Sequence, residues 1–308
     1  MPAPILRPRP HAPLLAALWA LGAVCSFTAM AVAGREAGRS LDTFEIMTYR
    51  SLIGLMIVAG LVLALRRRSD IRTDRLGLHT LRNLFHFTGQ NLWFYALTVI
   101  PLAQVAVLEA SYPIWVALAA PLVLGERLTL RRVLAVLLGF AGIVIVVRPG
   151  MVPVNIGTLA ALTCAIGFAG SSLVTRKLTS DQPILCILFW LTVMQGAMGL
   201  ALAGHDGAIA WPAPQVWPLV VIIGLAGLAA HFCLTTALSL APATLVVPVE
   251  FLRLPAIALV GALVYLEGID PFVIVGSGVI LAANLLNLWQ RNPAPAPHPA
   301  DTLRHGNR

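Results

Sequence analysis

Long apolar stretches separated by short polar connections make up most of this 308-residue chain. About 20 apolar residues in helical conformation cross about 30 Å of hydrocarbon. The pattern therefore predicts an all-α integral membrane protein with ten transmembrane helices, because a β-barrel would need shorter, alternating segments. The predicted helices span residues 14–34, 44–65, 82–99, 103–124, 133–148, 157–175, 184–203, 216–238, 244–265 and 272–289.

The first apolar stretch has a second interpretation as a cleaved signal peptide. Arg7 and Arg9 precede it, and Ala29, Ala31 and Ala33 resemble a small-residue cleavage site. The stretch is longer than a usual signal-peptide core, and its removal would leave an unequal number of helices in the two halves. We therefore expect residues 14–34 to be the first transmembrane helix.

Residues 96–126 recur at residues 237–267 with a constant offset of 141 and no gap. Identical residues meet at several positions, and one of these pairs is Glu109 with Glu250. Such self-similarity indicates a duplicated unit. Because five helices per copy is an odd number, the second copy must be inverted in the membrane. Inverted repeats build a site near the midplane and move by rocking one half against the other.

The duplication predicts the domain organisation. We expect a cytoplasmic N-terminal segment (1–13), a first five-helix repeat (14–148), a linker (149–156), a second five-helix repeat (157–290) and a disordered cytoplasmic tail (291–308). Pro149, Gly150 and Pro153 disfavour a continuous helix through the linker. Four prolines after residue 292 disfavour regular structure in the tail.

Composition and charge agree with a membrane protein and predict its orientation. Hydrophobic residues make up 58% of the chain and charged residues 11%, with a mean hydropathy of +0.86. Sixteen of the 21 lysines and arginines fall on one side of the predicted topology. By the positive-inside rule, both termini and the loop 66–80 are cytoplasmic, and the loops 35–43 and 204–215 lie outside the inner (plasma) membrane. The net charge of +8 is then topological, and we expect contact with lipid rather than nucleic acid.

Several motifs of the first half resemble those of EamA-type members of the drug/metabolite transporter superfamily. They are Asn91-Leu-Trp-Phe-Tyr-Ala-Leu, Ile100-Pro-Leu-Ala, Tyr112-Pro-Ile-Trp, Leu124-Gly-Glu-Arg-Leu-Thr and Gly139-Phe-Ala-Gly-Ile-Val. The second half keeps Leu266-Glu267 but has Gly268 next, so it lacks the Gly-Glu-Arg sequence. The resemblance implies a ten-helix secondary carrier of small metabolites. It also implies a structural or gating role for Arg50 in the second helix.

Charged side chains inside the predicted helices are the first candidates for a transport site, because each costs about 2.5–3.5 kcal/mol in a membrane. Glu109 and Glu250 occupy equivalent positions of the two repeats, on opposite sides of the midplane. They could bind a cationic group or take up the coupling proton during transport. Alternatively, Glu250 pairs with Arg253 one helical turn away, and Arg50 lies at the right depth to pair with Glu109.

Polar side chains of the third predicted helix form a second group of candidates. His86 and Gln90 are four residues apart on one helix face, and Gln90 meets His231 at the offset of 141. These residues either line a cavity and bind substrate or form hydrogen bonds between helices. Aromatic candidates for contact with the substrate are Trp93, Tyr95, Tyr112 and Trp115.

Secondary transport is the function that the sequence favours. No hydrolase, zinc-protease or ATP-binding motif occurs, and the four cysteines lack metal-ligand spacing, so we expect no enzyme, cofactor or metal site. Export of an amino-acid-like or amphiphilic metabolite is preferred, uptake of a compound such as S-adenosylmethionine is the alternative, and a membrane protein without transport is a third. The proton is the expected coupling ion, and the sequence leaves the oligomeric state open.

Overall fold

A computed structural model describes residues 12–125, 129–205, 207–241, 243–268 and 270–288. The predicted N-terminal segment up to residue 11, Glu126 and the predicted disordered tail lie outside these residues. The described chain is helical. Its α-helices are α1 (Pro13–Ala37), α2 (Thr43–Ala64), α3 (Leu76–Val99), α4 (Leu102–Glu109), α5 (Tyr112–Leu124), α6 (Leu130–Val147), α7 (Ile156–Leu178), α8 (Ile184–Ala203), α9 (Trp217–Leu240), α10 (Ala243–Glu250), α11 (Arg253–Val264) and α12 (Pro271–Leu288).

Ten membrane crossings follow from these helices, because α4 with α5 and α10 with α11 each make one crossing in two halves. Nine crossings of the described chain are long and apolar enough to be recognised by length and composition alone. The tenth is α3, which has 24 residues but carries several polar side chains. Most of these polar side chains are buried inside the bundle, whereas apolar side chains such as Leu84 and Phe85 are exposed on the outer face of α3.

The helix boundaries repeat with the offset of 141 found in the sequence. Residues 76–99 of α3 correspond to residues 217–240 of α9. The bounds of α4 match those of α10, and the bounds of α6 match those of α12, equally closely. Packing repeats as well, since α1 packs along α9 and α7 packs along α3, while α2 packs on α8 and α6 on α12. Exchanging the two repeats converts the α1–α9 pairing into the α7–α3 pairing. It leaves the α2–α8 and α6–α12 pairings unchanged. The fold is therefore a duplicated five-helix unit, as predicted.

Breaks in the middle of two crossings are the main local departure from the prediction of continuous helices. The first break, at 110–111, follows Glu109, and the second, at 251–252, follows Glu250. Proline contributes to both breaks, because Pro113 has no N–H to donate to the Glu109 carbonyl and Pro255 none for Phe251. The breaks lie at equivalent positions and place both glutamates at the C-terminal ends of half-helices.

Helix α3 begins at Leu76, six residues before the predicted start at residue 82. The polar side chains His79, Arg82 and Asn83 of its first two turns are buried inside the bundle. The His79 side chain is fully buried, with Nε2 4.0 Å from the Cys186 sulfur of α8. Asn83 donates hydrogen bonds to the carbonyls of His79 and Trp190. Helix–helix packing thus buries the polar groups that hid the start of the helix in the sequence.

Close contact between α3 and α7 depends on two glycines. A Cβ added at Gly167 would lie 2.9 Å from the Gly89 Cα and 2.9 Å from the Phe85 carbonyl oxygen. Since real Cβ atoms do not approach backbone so closely, only glycine allows this spacing. The contact holds the polar face of α3 beside α7, and both helices line the central cavity.

The two membrane faces of the bundle are packed differently. We call the face that carries Arg66, Arg67, Arg68, Arg72 and Arg75 the basic side. Half-helices α4 and α11, which lie toward the opposite side, pack against each other. Their counterparts on the basic side, α10 and α5, have no comparable contact among the described residues. Contact between half-helices therefore closes the opposite side of the bundle, and the described residues of α5 and α10 make no comparable contact on the basic side.

An ion pair adds to the closure of the opposite side. Arg35, in the last turn of α1, pairs with Glu267 in the connection before α12. The Glu267 carboxylate also accepts a hydrogen bond of 2.9 Å from the Leu102 amide at the start of α4. The Arg35 guanidinium lies 4.5 Å from the centre of the Tyr265 ring. These contacts connect the two repeats across the closed end.

Candidate functional site

A cavity of about 280 Å³ lies between the two repeats, at the level of the helix breaks. Its walls come from α1, α3, α4 and α5 of the first repeat and from α7, α9, α10 and α11 of the second. Substrate sites of inverted-repeat transporters form in this position, near the midplane and next to broken helices. The volume is close to the lower end of the range for small-molecule sites.

Pairs of residues related by the repeat face each other across this cavity. Phe27 of α1 corresponds to Phe168 of α7, and both rings line the wall. Gln90 of α3 corresponds to His231 of α9, and Glu109 corresponds to Glu250. The structure therefore brings Glu109, Glu250, Gln90, His231 and His86 together in one cavity, although they are far apart in sequence.

Glu109 forms an ion pair with Arg253 of the other repeat. The Arg253 Nη2 lies 3.0 Å from Glu109 Oε1, and the Trp93 indole donates a 2.9 Å hydrogen bond to Oε2. The two charged side chains are only 12% and 16% exposed. The Arg253 guanidinium also lies 5.1 Å from the centre of the Phe27 ring. Both carboxylate oxygens of Glu109 are thus occupied by partners that link α3, α4 and α11.

This arrangement corrects both ion pairs considered from the sequence. Arg50 does not pair with Glu109, because Arg253 reaches that carboxylate from the opposite repeat. Among the described residues, no ion pair joins Arg253 to Glu250. Within the described residues, the Glu250 Oε1 atom is buried and has no hydrogen-bond partner. Glu250 is therefore a cavity carboxyl with a free oxygen, which could bind a proton or a donor group of a substrate.

Arg50 lies behind the cavity wall rather than in it. Its side chain is 8% exposed and donates a 3.4 Å hydrogen bond to the Met47 sulfur. A small recess next to it is lined by Gln195 of α8 and His231 of α9. No acidic side chain forms an ion pair with Arg50 among the residues that the structure describes. The guanidinium thus remains a buried, uncompensated positive charge.

Histidine and glutamine side chains connect this recess to the cavity. The Gln195 amide nitrogen lies 2.8 Å from His86 Nδ1. The rings of His86 and His231 are 6.4 Å apart, and the His86 ring lies 5.7 Å from Phe168. The Gln90 amide nitrogen is buried and has no hydrogen-bond acceptor in the described part of the chain. Gln90 can therefore donate to a bound molecule.

Arg82 is the main cavity residue that the sequence interpretation missed. The sequence interpretation used it only as one of the sixteen basic residues that set the orientation, but it lines the cavity wall and is 7% exposed. Its Nε donates to the Thr175 hydroxyl of α7 at 3.2 Å. Residues 82, 86 and 90 are four apart, so the sequence does place Arg82 on the face of α3 that carries His86 and Gln90. That spacing was the available signal.

The four aromatic candidates separate into two groups. Trp93 and Tyr112 line the cavity. Trp115 and Tyr95 do not line it. Trp115 packs edge-on against Phe140, with ring centres 5.1 Å apart, and Tyr95 is 37% exposed. Phe27 and Phe168, which the sequence did not suggest, are in the cavity instead. The aromatic surface available to a ligand therefore comes from both repeats.

Comparison with known families agrees with this architecture. The family model described as "EamA-like transporter family" matches residues 14–148 and again residues 155–289. The chain belongs to the EamA-like transporter family. The two matches of this EamA-like chain coincide with the two five-helix repeats seen in the structure. A solved crystal structure also shares the fold, with a TM-score of 0.61 at 21% identity over 88% of this chain and 95% of the other.

Relatives of this EamA-like protein carry names of different transporters. A riboflavin transporter of Brucella anthropi is 30% identical, over 87% of this chain and 96% of the relative. An S-adenosylmethionine uptake transporter of Rickettsia bellii is 25% identical, over 90% and 94%. The pseudopaline exporter CntI of Pseudomonas aeruginosa is 28% identical, over 86% and 93%. The similarity extends over almost the whole length of each relative.

Proposed function

We propose that this protein is a secondary carrier that moves a small metabolite through the central cavity by alternating access. The observation that carries the proposal is the cavity itself, which lies between inverted repeats at two helix breaks. Half-helices α4 and α11 meet on one side of it, whereas the described residues of α5 and α10 make no comparable contact on the other, as expected for one state of a rocking transporter. The cargo is carried across without chemical conversion.

The proposed orientation places the basic side and both termini in the cytoplasm of a cell bounded by the inner membrane. The arginines of loop 65–75 support this orientation through the positive-inside rule. In that orientation the structure is the inward-open state, and the Arg35–Glu267 pair closes the external end.

A single cysteine at position 72 tests the orientation. On a background without the four native cysteines, we expect Arg72→Cys to react with a membrane-impermeant thiol reagent only after the cells are opened. A cysteine at exposed Ile209, in the connection between α8 and α9, is the matched control and should react in intact cells. Labelling of position 72 from outside intact cells would contradict the orientation.

We propose the proton as the coupling ion and Glu250 as its binding site. Glu250 has a free, buried oxygen, whereas both oxygens of Glu109 are occupied. The charged groups that act on Glu250 are Arg253 and Glu109, and both belong to helix breaks that must move when the repeats rock. Its affinity for a proton can therefore differ between the two states.

Uptake by proton symport is the direction that we propose. The uptake transporters that match about 90% of this chain support it. Export by proton antiport, which the sequence favoured, is the second candidate and is supported by the similarity to the pseudopaline exporter. Riboflavin and S-adenosylmethionine are the first substrates to test, because relatives that match most of this chain are named for them.

Purified protein in proteoliposomes tests the proposed function directly. We expect a panel of metabolites that includes riboflavin and S-adenosylmethionine to contain a compound that the protein transports and that empty liposomes do not admit. Ser172→Trp, which places a large ring in the cavity, should abolish this flux. Leu122→Trp, at a position 90% exposed on the outer surface, is the matched control and should leave it intact. Equal flux in both variants would contradict transport through this cavity.

A further inference from the structure

We propose, on the basis of the transport function above, that the metabolite carries an anionic group, a carboxylate or a phosphate, which binds to Arg82. This group would occupy the part of the cavity nearest the basic side. Arg82 lies six residues into α3, or about 9 Å from its start by helical rise. The planar or apolar part of the same metabolite would then lie between Phe27 and Phe168, closer to the helix breaks.

The partners of Arg82 leave its charge uncompensated. The guanidinium donates to the Thr175 hydroxyl and to the Asn83 amide oxygen, both at 3.2 Å, and both partners are neutral. No carboxylate forms an ion pair with it among the residues that the structure describes. Removing an arginine from water without a counter-charge is costly, and a bound anion would supply that charge.

Arg50 adds a second uncompensated positive charge close to the cavity. It is buried behind the cavity wall, and its hydrogen bond to the Met47 sulfur brings no negative charge. Gln195, His86 and His231 fill the space between it and the cavity, and none of them is acidic. Arg253 differs from both arginines, because it has Glu109 as a partner and needs no bound anion. The uncompensated positive charge near the cavity therefore comes from Arg82 and Arg50 and not from Arg253.

Hydroxyl groups complete the proposed anion site. Ser171, Ser172 and Thr175 of α7 line the wall together with Arg82. Thr175 already accepts the Arg82 Nε–H and donates to the Ser171 carbonyl, which holds the guanidinium in place. The Ser172 side chain is exposed and can donate to an anion held by the remaining guanidinium N–H groups. Arginine suits this task because its planar fork binds two oxygens of a carboxylate or phosphate at once.

Matched pairs of compounds test the inference on the purified, full-length protein. Riboflavin and flavin mononucleotide share a ring system and differ in a phosphate. S-adenosylmethionine and its decarboxylated form differ in a carboxylate. We expect the anionic member of at least one pair to bind about tenfold or more tightly than its partner, measured by thermal shift and calorimetry. The pair that shows the preference distinguishes a phosphate from a carboxylate.

Variants of Arg82 connect the preference to this residue. Arg82→Gln should remove the roughly tenfold preference by weakening the anionic member alone, and Arg82→Lys should retain part of it. Arg75→Gln, at an exposed arginine near the start of the same helix, should leave the binding of both members of each pair unchanged. Arg82→Gln is expected to fold, because it removes an uncompensated buried charge.

The outcomes separate this inference from the proposed function. Equal binding of both members of every pair, an equal effect of Arg82→Gln on both members, or no binding by any member would overturn the anion site. Transport of neutral metabolites that Ser172→Trp still blocks would overturn the anion site while the transport function stands. If no metabolite of the panel is transported into the proteoliposomes, both the transport function and the anion site are contradicted.

Discussion

Glu109→Gln is expected to lower the free energy of unfolding by about 3–5 kcal/mol, because it leaves Arg253 buried without a counter-charge. The pair is well shielded from solvent, with side chains 12% and 16% exposed, and it joins α4 of one repeat to α11 of the other. The glutamine can still accept the Trp93 hydrogen bond, so the loss reports mainly the missing charge. Unfolding in detergent or lipid nanodiscs, followed by tryptophan fluorescence, measures the change.

The double variant Glu109→Gln/Arg253→Met is the control for this prediction. Removing both charges leaves no buried ion, so most of the lost stability should return. Glu250→Gln is a second control. It replaces a carboxyl whose Oε1 has no described hydrogen-bond partner, so its effect on stability should be small. Equal destabilisation by Glu109→Gln and Glu250→Gln would contradict the assignment of Arg253 to Glu109.

Glu250→Gln is expected to abolish proton-driven accumulation of substrate while substrate exchange continues. The glutamine keeps the size of the side chain but cannot release a proton, so the cavity can still bind and carry cargo. Uptake driven by an imposed pH gradient should therefore fall to the level seen without the gradient, whereas counterflow against preloaded substrate should persist. The rates of gradient-driven uptake and of counterflow are measured in parallel in the same vesicle preparation.

A matched acid outside the cavity provides the comparison for Glu250→Gln. Glu36 lies near the end of α1 and forms a partly exposed ion pair with Arg39, so Glu36→Gln should leave both activities unchanged. Loss of exchange together with accumulation in Glu250→Gln would indicate that Glu250 holds the substrate rather than the proton. Retention of full gradient-driven accumulation would exclude Glu250 as the coupling group.

Most of the helical architecture could be predicted from the sequence, because apolar length and the internal repeat are strong signals. The two breaks could not, since hydropathy does not change when a helix is interrupted by two residues. Pro113 and Pro255 were a usable sign of the breaks, but they occupy non-equivalent positions of the two repeats. The equivalence of the breaks became clear only from the structure, which places each directly after a glutamate.

The candidate site was predicted in composition but not in its contacts. Pairs within one helix turn are the ones that a sequence can suggest, and Glu250 with Arg253 was such a pair. The actual partner of Arg253 is Glu109, which is 144 residues away in sequence. Arg82 was missed for the opposite reason, because a cation near a helix end is usually a topological signal. The packing of α3 against α7 confirms what its spacing from His86 and Gln90 indicated, that it faces the cavity.

Concentrative transport by the unmodified protein is the decisive test of a proton-coupled carrier. Proteoliposomes with a neutral interior and an acidic exterior are supplied with the metabolite that the panel identifies, and its internal concentration is followed over time. We expect transient accumulation above the external concentration, which disappears when a protonophore collapses the gradient. Accumulation that survives collapse of the gradient, or flux that never exceeds equilibrium in either direction of the gradient, would contradict a proton-coupled carrier.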